Sequence, residues 1–241
     1  MDGESIRKSI IFIPGNNYTF KHARPFIRFL EKQPWVEEVI FIQLLENVYT
    51  DLDYDRLRPK AYSKYIYKRI PDKSKKYVGF ASSMGCYHIQ NFSYFYPDIL
   101  ESIILLEPTM CGGVKDLLMK FEAGRGNKDY ISRLANMSER SLGPSLLSNE
   151  RVIDIAVSSD RTYWFPPKVH LGIIYTPYNA QEERYNSTQL DAKRDFLDVL
   201  KARGYMFKFT LLHGGAHAAD TQPRFFRRLG EFIHEVACEW K

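Results

Sequence analysis

The segment Ala81-Ser82-Ser83-Met84-Gly85-Cys86 sets a serine among small residues where an apolar run gives way to a helical pattern. Strand, sharp turn and helix in that order would hold Ser83 on a strained backbone as an exposed nucleophile. The residues two before and two after it must then be small, so that strand and helix can pass. Ala81 and Gly85 meet that demand. The helix expected from Met84 to Tyr96 would bring its unpaired N-terminal N–H groups beside Ser83, where they can stabilise an oxyanion. The competing reading is a serine-rich strand end that only caps a helix.

A second chemical signal is Leu212-His213-Gly214-Gly215-Ala216-His217. Histidine titrates near neutral pH, so it can take a proton from serine and return it to a leaving group. The small residues before His217 allow a compact loop, which makes His217 the expected base. His213 is its competitor, with loop orientation, substrate contact or backbone bonding as its other roles. His88 falls inside the helix after Ser83 and reads as packing or surface structure.

These residues need a scaffold, and the apolar runs supply one. Strands are expected over Ser9 to Pro14, Val36 to Leu45, Tyr77 to Ala81, Ile99 to Leu106, His170 to Thr176 and Tyr205 to Leu212. Helical spacing appears at Phe20 to Leu30, with Thr19 as a candidate cap, and less regularly from Thr50 to Ile70. It returns after Met84, around Leu190 to Leu200 with Gly204 as terminator, and from Pro223 onward. Strands alternating with helices predict a mostly parallel sheet covered on both faces. The exception is the interval from Met110 to Lys168. Short helices are plausible there at Val114 to Phe121, Asp129 to Met137 and Asn149 to Ala156, before Trp164-Phe165-Pro166-Pro167. Such an insertion forms either a lid above a pocket or an ordinary packed excursion.

The chain has 241 residues, 44% apolar and 15% aromatic, enough for one large core, so residues 1–241 read as a single domain. No run is apolar and long enough to span a membrane, and the first residues do not read as a secretory signal. Cys86, Cys111 and Cys238 lack metal-ligand spacing, and their odd number suggests reduced thiols and a cytoplasmic location. A net charge of +5 is modest. The clusters Lys73, Lys75, Lys76 and Arg224, Arg227, Arg228 lie in no nucleic-acid motif, so no nucleic-acid partner is expected. They read as solvated surface, with a polyanion or peripheral membrane contact as the alternative.

Taken together, the first strand and turn, the Ser83 elbow, the strand ending at Glu107-Pro108 and the late Gly215-Ala216-His217 loop resemble the α/β-hydrolase family over nearly the whole chain. The resemblance implies an α/β fold, trimmed of several opening strands, with a lid or cap at residues 111–167. It implies Ser83 as nucleophile and His217 as base, with the backbone N–H groups of Met84 and Asn16 as the oxyanion hole. Pro14-Gly15-Asn16 also resembles the turn of lipid-droplet-associated serine hydrolases. Asn179 stands where the family usually has its aspartate. It can orient His217 but not stabilise its charge. Glu107, at a strand end that some family members use for the acid, ranks ahead of Glu182. Turn or lid anchoring for Glu107 and a solvated helix lead-in for Glu182 are the plainer readings.

The expected activity is hydrolysis of a carboxylic ester, small or lipid-like, through an acyl-enzyme, with no metal or organic cofactor. Met84, Trp164 and Phe165 are acyl-contact candidates that core or lid packing would equally explain. The alternative is a non-catalytic α/β-hydrolase-like binding protein, with Asn179 marking lost activity.

Overall fold

A run such as Ile10-Ile11-Phe12-Ile13 has no polar face to offer water, so its natural place is a strand buried on both sides. A computed structural model describes residues 7–15, 18–45, 58–108, 163–176, 196–215 and 218–240 of the chain. The strands are β1 (Lys8–Ile13), β2 (Val36–Phe41), β3 (Tyr77–Ser82), β4 (Leu100–Leu106), β5 (His170–Tyr175) and β6 (Phe207–Leu211). They form a six-stranded sheet in the order β2-β1-β3-β4-β5-β6, and every neighbouring pair is parallel.

The period of two along each strand divides the core. Ile11, Ile13, Ala81, Ile103, Leu105 and Ile173 face one side, where α2 (Pro59–Tyr67) and α3 (Met84–Phe95) cover them with Tyr62, Ile66, Ile89 and Phe92. Ile10, Phe12, Val78, Phe80, Ile104 and Ile174 face the other. There α1 (Phe20–Glu31) contributes Phe26, Ile27 and Leu30, and α4 (Pro223–Cys238) contributes Leu229, Ile233 and Val236. Fully burying a side chain of this size stabilises the fold by about 1.5–3 kcal/mol. The sheet at the level of the site is therefore a stiff platform.

Local signals set the ends of elements. Thr19 precedes α1, and its N–H donates to Nδ1 of His22 at 3.1 Å, so a histidine fills the place a glutamate takes in the usual capping box. Gly204, with φ of 75°, closes the helical residues 196–202 as its sequence position suggested. Two boundaries differ from expectation. β2 ends at Phe41 rather than running to Leu45: the Ile42 N–H still reaches the Phe12 carbonyl at 2.9 Å, after which the chain leaves the ladder. α2 begins at Pro59, whose missing N–H suits the first turn of a helix. The earlier part of that expected crossover, 50–57, lies outside the described residues.

Most of the proposed lid also lies outside them, and only its last residues are described. Phe165 is buried, and the Tyr205 hydroxyl donates to its carbonyl at 2.7 Å. The Arg203 guanidinium sits 3.9 Å from the centre of the Trp164 ring. Both residues thus pack against the segment that precedes β6.

Candidate active site

Ser83 joins β3 to α3 with φ of 50° and ψ of −119°. A non-glycine residue avoids positive φ unless its surroundings enforce it, and here they do. The Ser83 N–H donates to the Leu106 carbonyl at 2.9 Å, and its own carbonyl accepts from the Cys86 N–H at 3.0 Å. Below the turn, the buried Cys86 thiol lies 3.3 Å from the Ala81 carbonyl and 3.4 Å from that of Leu106. Gly85 is sterically required, because a Cβ there would meet the Ile13 carbonyl oxygen at 2.3 Å and that of Pro14 at 2.5 Å. The turn after β1 reaches the serine as well: a Cβ on Gly15 would lie 3.1 Å from that of Ser83.

Two of the proposed oxyanion donors differ in standing. Met84 is the first residue of α3, where a helix has backbone N–H groups that its own carbonyls cannot take. Asn16 lies outside the described residues, although Gly15 before it is against Ser83. The Met84 side chain is buried in the core.

Glu107 is the expected acid that falls within the described residues. It follows β4, is fully buried and has φ of 53°. Its N–H donates to the Ile174 carbonyl at 2.9 Å, which ties it to β5. A buried carboxylate needs donors, because its desolvation is otherwise expensive. Thr176 provides them: its backbone N–H and its hydroxyl, the latter at 2.8 Å, both donate to Oε1 of Glu107. Ser82 pairs with Leu106 across β3 and β4, so Ser83 and Glu107 leave neighbouring strands at the same level.

The loop toward the expected base starts beside this acid. A Cβ on Gly215 would lie 2.8 Å from Cγ2 of Thr176, so the backbone two residues before His217 rests on the residue that holds Glu107. The Arg224 guanidinium donates to the Gly214 carbonyl at 2.9 Å. His213 is exposed on this loop, whereas His88 is buried and stacked 3.6 Å from Tyr62, as its packing assignment expected. His217, Asn179 and Glu182 lie outside the described residues.

Two polar residues here carry no direct mark of their role in the sequence. Thr176 reads there only as the end of a strand. Asp220, buried three residues after His217, lies beside the Tyr18 hydroxyl, and burial together with that carboxylate pushes the Tyr18 phenol pKa up. The pair links the turn after β1 to the turn before α4. A lone acid in Ala218-Ala219-Asp220 and a threonine closing a buried strand were the available signals.

A six-stranded parallel sheet, helices on both faces and a sharp positive-φ strand-to-helix turn after its central strand define an α/β-hydrolase fold. Solved structures bear this out. NosK from Streptomyces actuosus superposes with a TM-score of 0.60 at 16% identity, over 96% of this chain and 99% of that one. A carboxylesterase of the thaumarchaeon Nitrososphaera gargenis gives 0.54 at 11% identity, over 99% and 94%. Carboxylesterase CesB from Bacillus subtilis gives 0.51 at 13%, over 98% and 85%. No protein-family model and no curated protein matches the sequence.

Proposed function

We propose that the protein is a serine hydrolase that cleaves a carboxylic ester through an acyl-enzyme. The observation that carries the proposal is the Ser83 elbow, with its positive φ enforced by the close passage of Gly85 across the end of β1. The carboxylesterases among the structural neighbours agree with it.

In this reading Ser83 Oγ attacks the ester carbonyl while His217 takes its proton. The carbonyl oxygen becomes an oxyanion held by the N–H groups of Met84 and Asn16, donors that bind developing charge more strongly than the ground-state carbonyl. The tetrahedral intermediate collapses, and the alcohol leaves with the proton from His217. Water, deprotonated by His217, then releases the acid and restores Ser83. Glu107 orients His217 and stabilises its charge, and Asn179 and Glu182 have no part in this assignment. Loss of one oxyanion donor typically costs about 3–4 kcal/mol of transition-state stabilisation.

The non-catalytic alternative drew on Asn179 in the usual acid position. A buried Glu107 carboxylate at the neighbouring strand end weakens that argument, because it offers another acid.

A lipid-like substrate and a peripheral contact with an anionic lipid surface extend the proposal. Exposed Phe20 stands at the start of α1 among Lys21, Arg24 and Arg28, and Arg224, Arg227 and Arg228 line the start of α4. Both helices begin at the sheet edge that carries Ser83. The residues 111–167 would form the lid over this edge. The Cys86 and Cys238 side chains form no disulfide among the described residues, and a cytoplasmic location remains part of the proposal.

A fluorophosphonate reagent tests the central claim. It labels the intact protein at Ser83, and Ser83→Ala loses both labelling and ester turnover. Unchanged turnover in that variant would sink the mechanism.

A further inference from the structure

Thr176 touches two parts of the proposed site with different atoms. Its N–H and hydroxyl donate to the same oxygen, Oε1 of Glu107, which fixes the rotation of the carboxylate and leaves Oε2 for a different donor. Its methyl group faces the loop that leads to His217. A Cβ on Gly215 would come within 2.8 Å of Thr176 Cγ2 and 2.9 Å of the Leu212 carbonyl, so the loop backbone is seated directly on that methyl. Thr176 is fully buried, and its place at the end of β5 is set by the parallel pairing of β5 with β4 and β6.

We infer that Thr176 is a positioning residue: it orients Glu107 through its hydroxyl and N–H, while its methyl packs against Gly215. The inference rests on the serine-hydrolase reading and adds a residue to it. Thr176 does not touch the reacting atoms. It acts through Glu107, whose aim at the imidazole decides how well the charge formed on His217 is stabilised.

Two conservative substitutions separate this role from packing. Valine keeps the shape and the methyl but removes the hydroxyl donor. Serine keeps the hydroxyl and removes the methyl. A positioning role through Glu107 predicts that Thr176→Val lowers kcat about tenfold with KM nearly unchanged, while Thr176→Ser stays within about threefold of wild type. Packing alone predicts the reverse order, because serine leaves a void where the methyl was and valine does not. A valine variant as active as the serine variant, or more so, overturns the inference.

A double variant adds a second requirement. In the Glu107→Gln background, Thr176→Val lowers kcat by less than about twofold, since the carboxylate it acts through is already gone. A full tenfold loss in that background also overturns it. Thermal unfolding of each variant excludes loss of fold as the cause. Ser83→Ala runs beside them: retained turnover there removes the hydrolase reading and this inference together. Abolished turnover with the valine and serine order reversed removes only the role of Thr176.

Discussion

Ser83 and Glu107 leave adjacent parallel strands at the same level, and both do so with positive φ, 50° and 53°. Strands lie about 4.8 Å apart, so two strained backbones stand side by side at one edge of the sheet. Their hydrogen bonds run in sequence across it, from the Ser83 N–H to Leu106 and from the Glu107 N–H to Ile174. Each such non-glycine conformation costs about 1–3 kcal/mol and persists because the surrounding packing leaves no other path.

That strain is measurable at Ser83. Glycine relieves it and alanine does not, so Ser83→Gly unfolds at higher denaturant concentration than Ser83→Ala, by about 1 kcal/mol in stability. Both variants lack ester turnover. Equal stability of the two proteins would show that the turn carries no conformational strain.

The acid assignment gives a sharper contrast. In Glu107→Gln the amide oxygen takes the place between the two Thr176 donors, which turns the amide NH2 toward the position that Oε2 held. A donor then meets the imidazole N–H, and kcat falls on the order of 10³–10⁴-fold. Asn179→Ala stays within about threefold of wild type. If the two variants exchange these behaviours in steady-state kinetics, Asn179 and not Glu107 orients His217.

The parts of the molecule legible in the sequence are those that depend on local pattern. The strand and helix order followed from apolar runs such as Ile10 to Ile13 and from helical spacing at Phe26, Ile27 and Leu30. The elbow was legible because steric demands at Ala81 and Gly85 are written in residue size. Thr176 and Asp220 were not, because their roles come from contacts across sixty-nine residues to Glu107 and from the turn after β1 to Asp220. No periodicity marks such a pair. The end of β2 differs from the pattern for a related reason: Ile42, Leu44 and Leu45 are as buried as strand residues, but they are buried in the core beside α2 and α3, beyond the last ladder residue Phe41.

Gly85 tests the elbow without touching a reacting group. A methyl at this position meets two backbone carbonyls of the β1 end, at 2.3 and 2.5 Å, and backbone cannot swing aside as a flexible side chain does. Gly85→Ala therefore pushes α3 away from β1, with a loss of about 2–4 kcal/mol in unfolding experiments. Gly85→Ala that folds with wild-type stability would contradict the close passage of α3 over β1.

The basic edge makes a prediction about partners. Lys75 pairs with Glu37 at 2.9 Å, and Lys73 and Lys76 donate to the carbonyls of Ile70 and Asp98, so the first lysine cluster is engaged locally. Lys21, Arg24, Arg28 and Arg228 have no ion pair among the described residues, and Arg227 pairs only with Glu231, at 3.7 Å on the surface. α1 and α4 are in contact on one face of the sheet, with Phe226 5.1 Å from Phe26 and 5.8 Å from Phe29, and this face exposes Lys21, Arg24, Arg28, Arg227 and Arg228 with Glu31 and Glu231 among them. Phe20, 51% exposed, provides an apolar tip at its edge. Charges of this kind draw a protein to anionic lipid at about 1 kcal/mol each, within a Debye length of the surface. The protein thus co-sediments with phosphatidylcholine vesicles that contain phosphatidylserine and not with phosphatidylcholine alone, and the binding weakens as salt rises from about 50 to 200 mM. A Lys21→Glu, Arg24→Glu, Arg228→Glu variant loses the vesicles and keeps its turnover of a short soluble ester, because none of the three residues has a part in the proposed chemistry. Binding that ignores lipid charge, salt and these reversals would leave the basic edge as solvated surface.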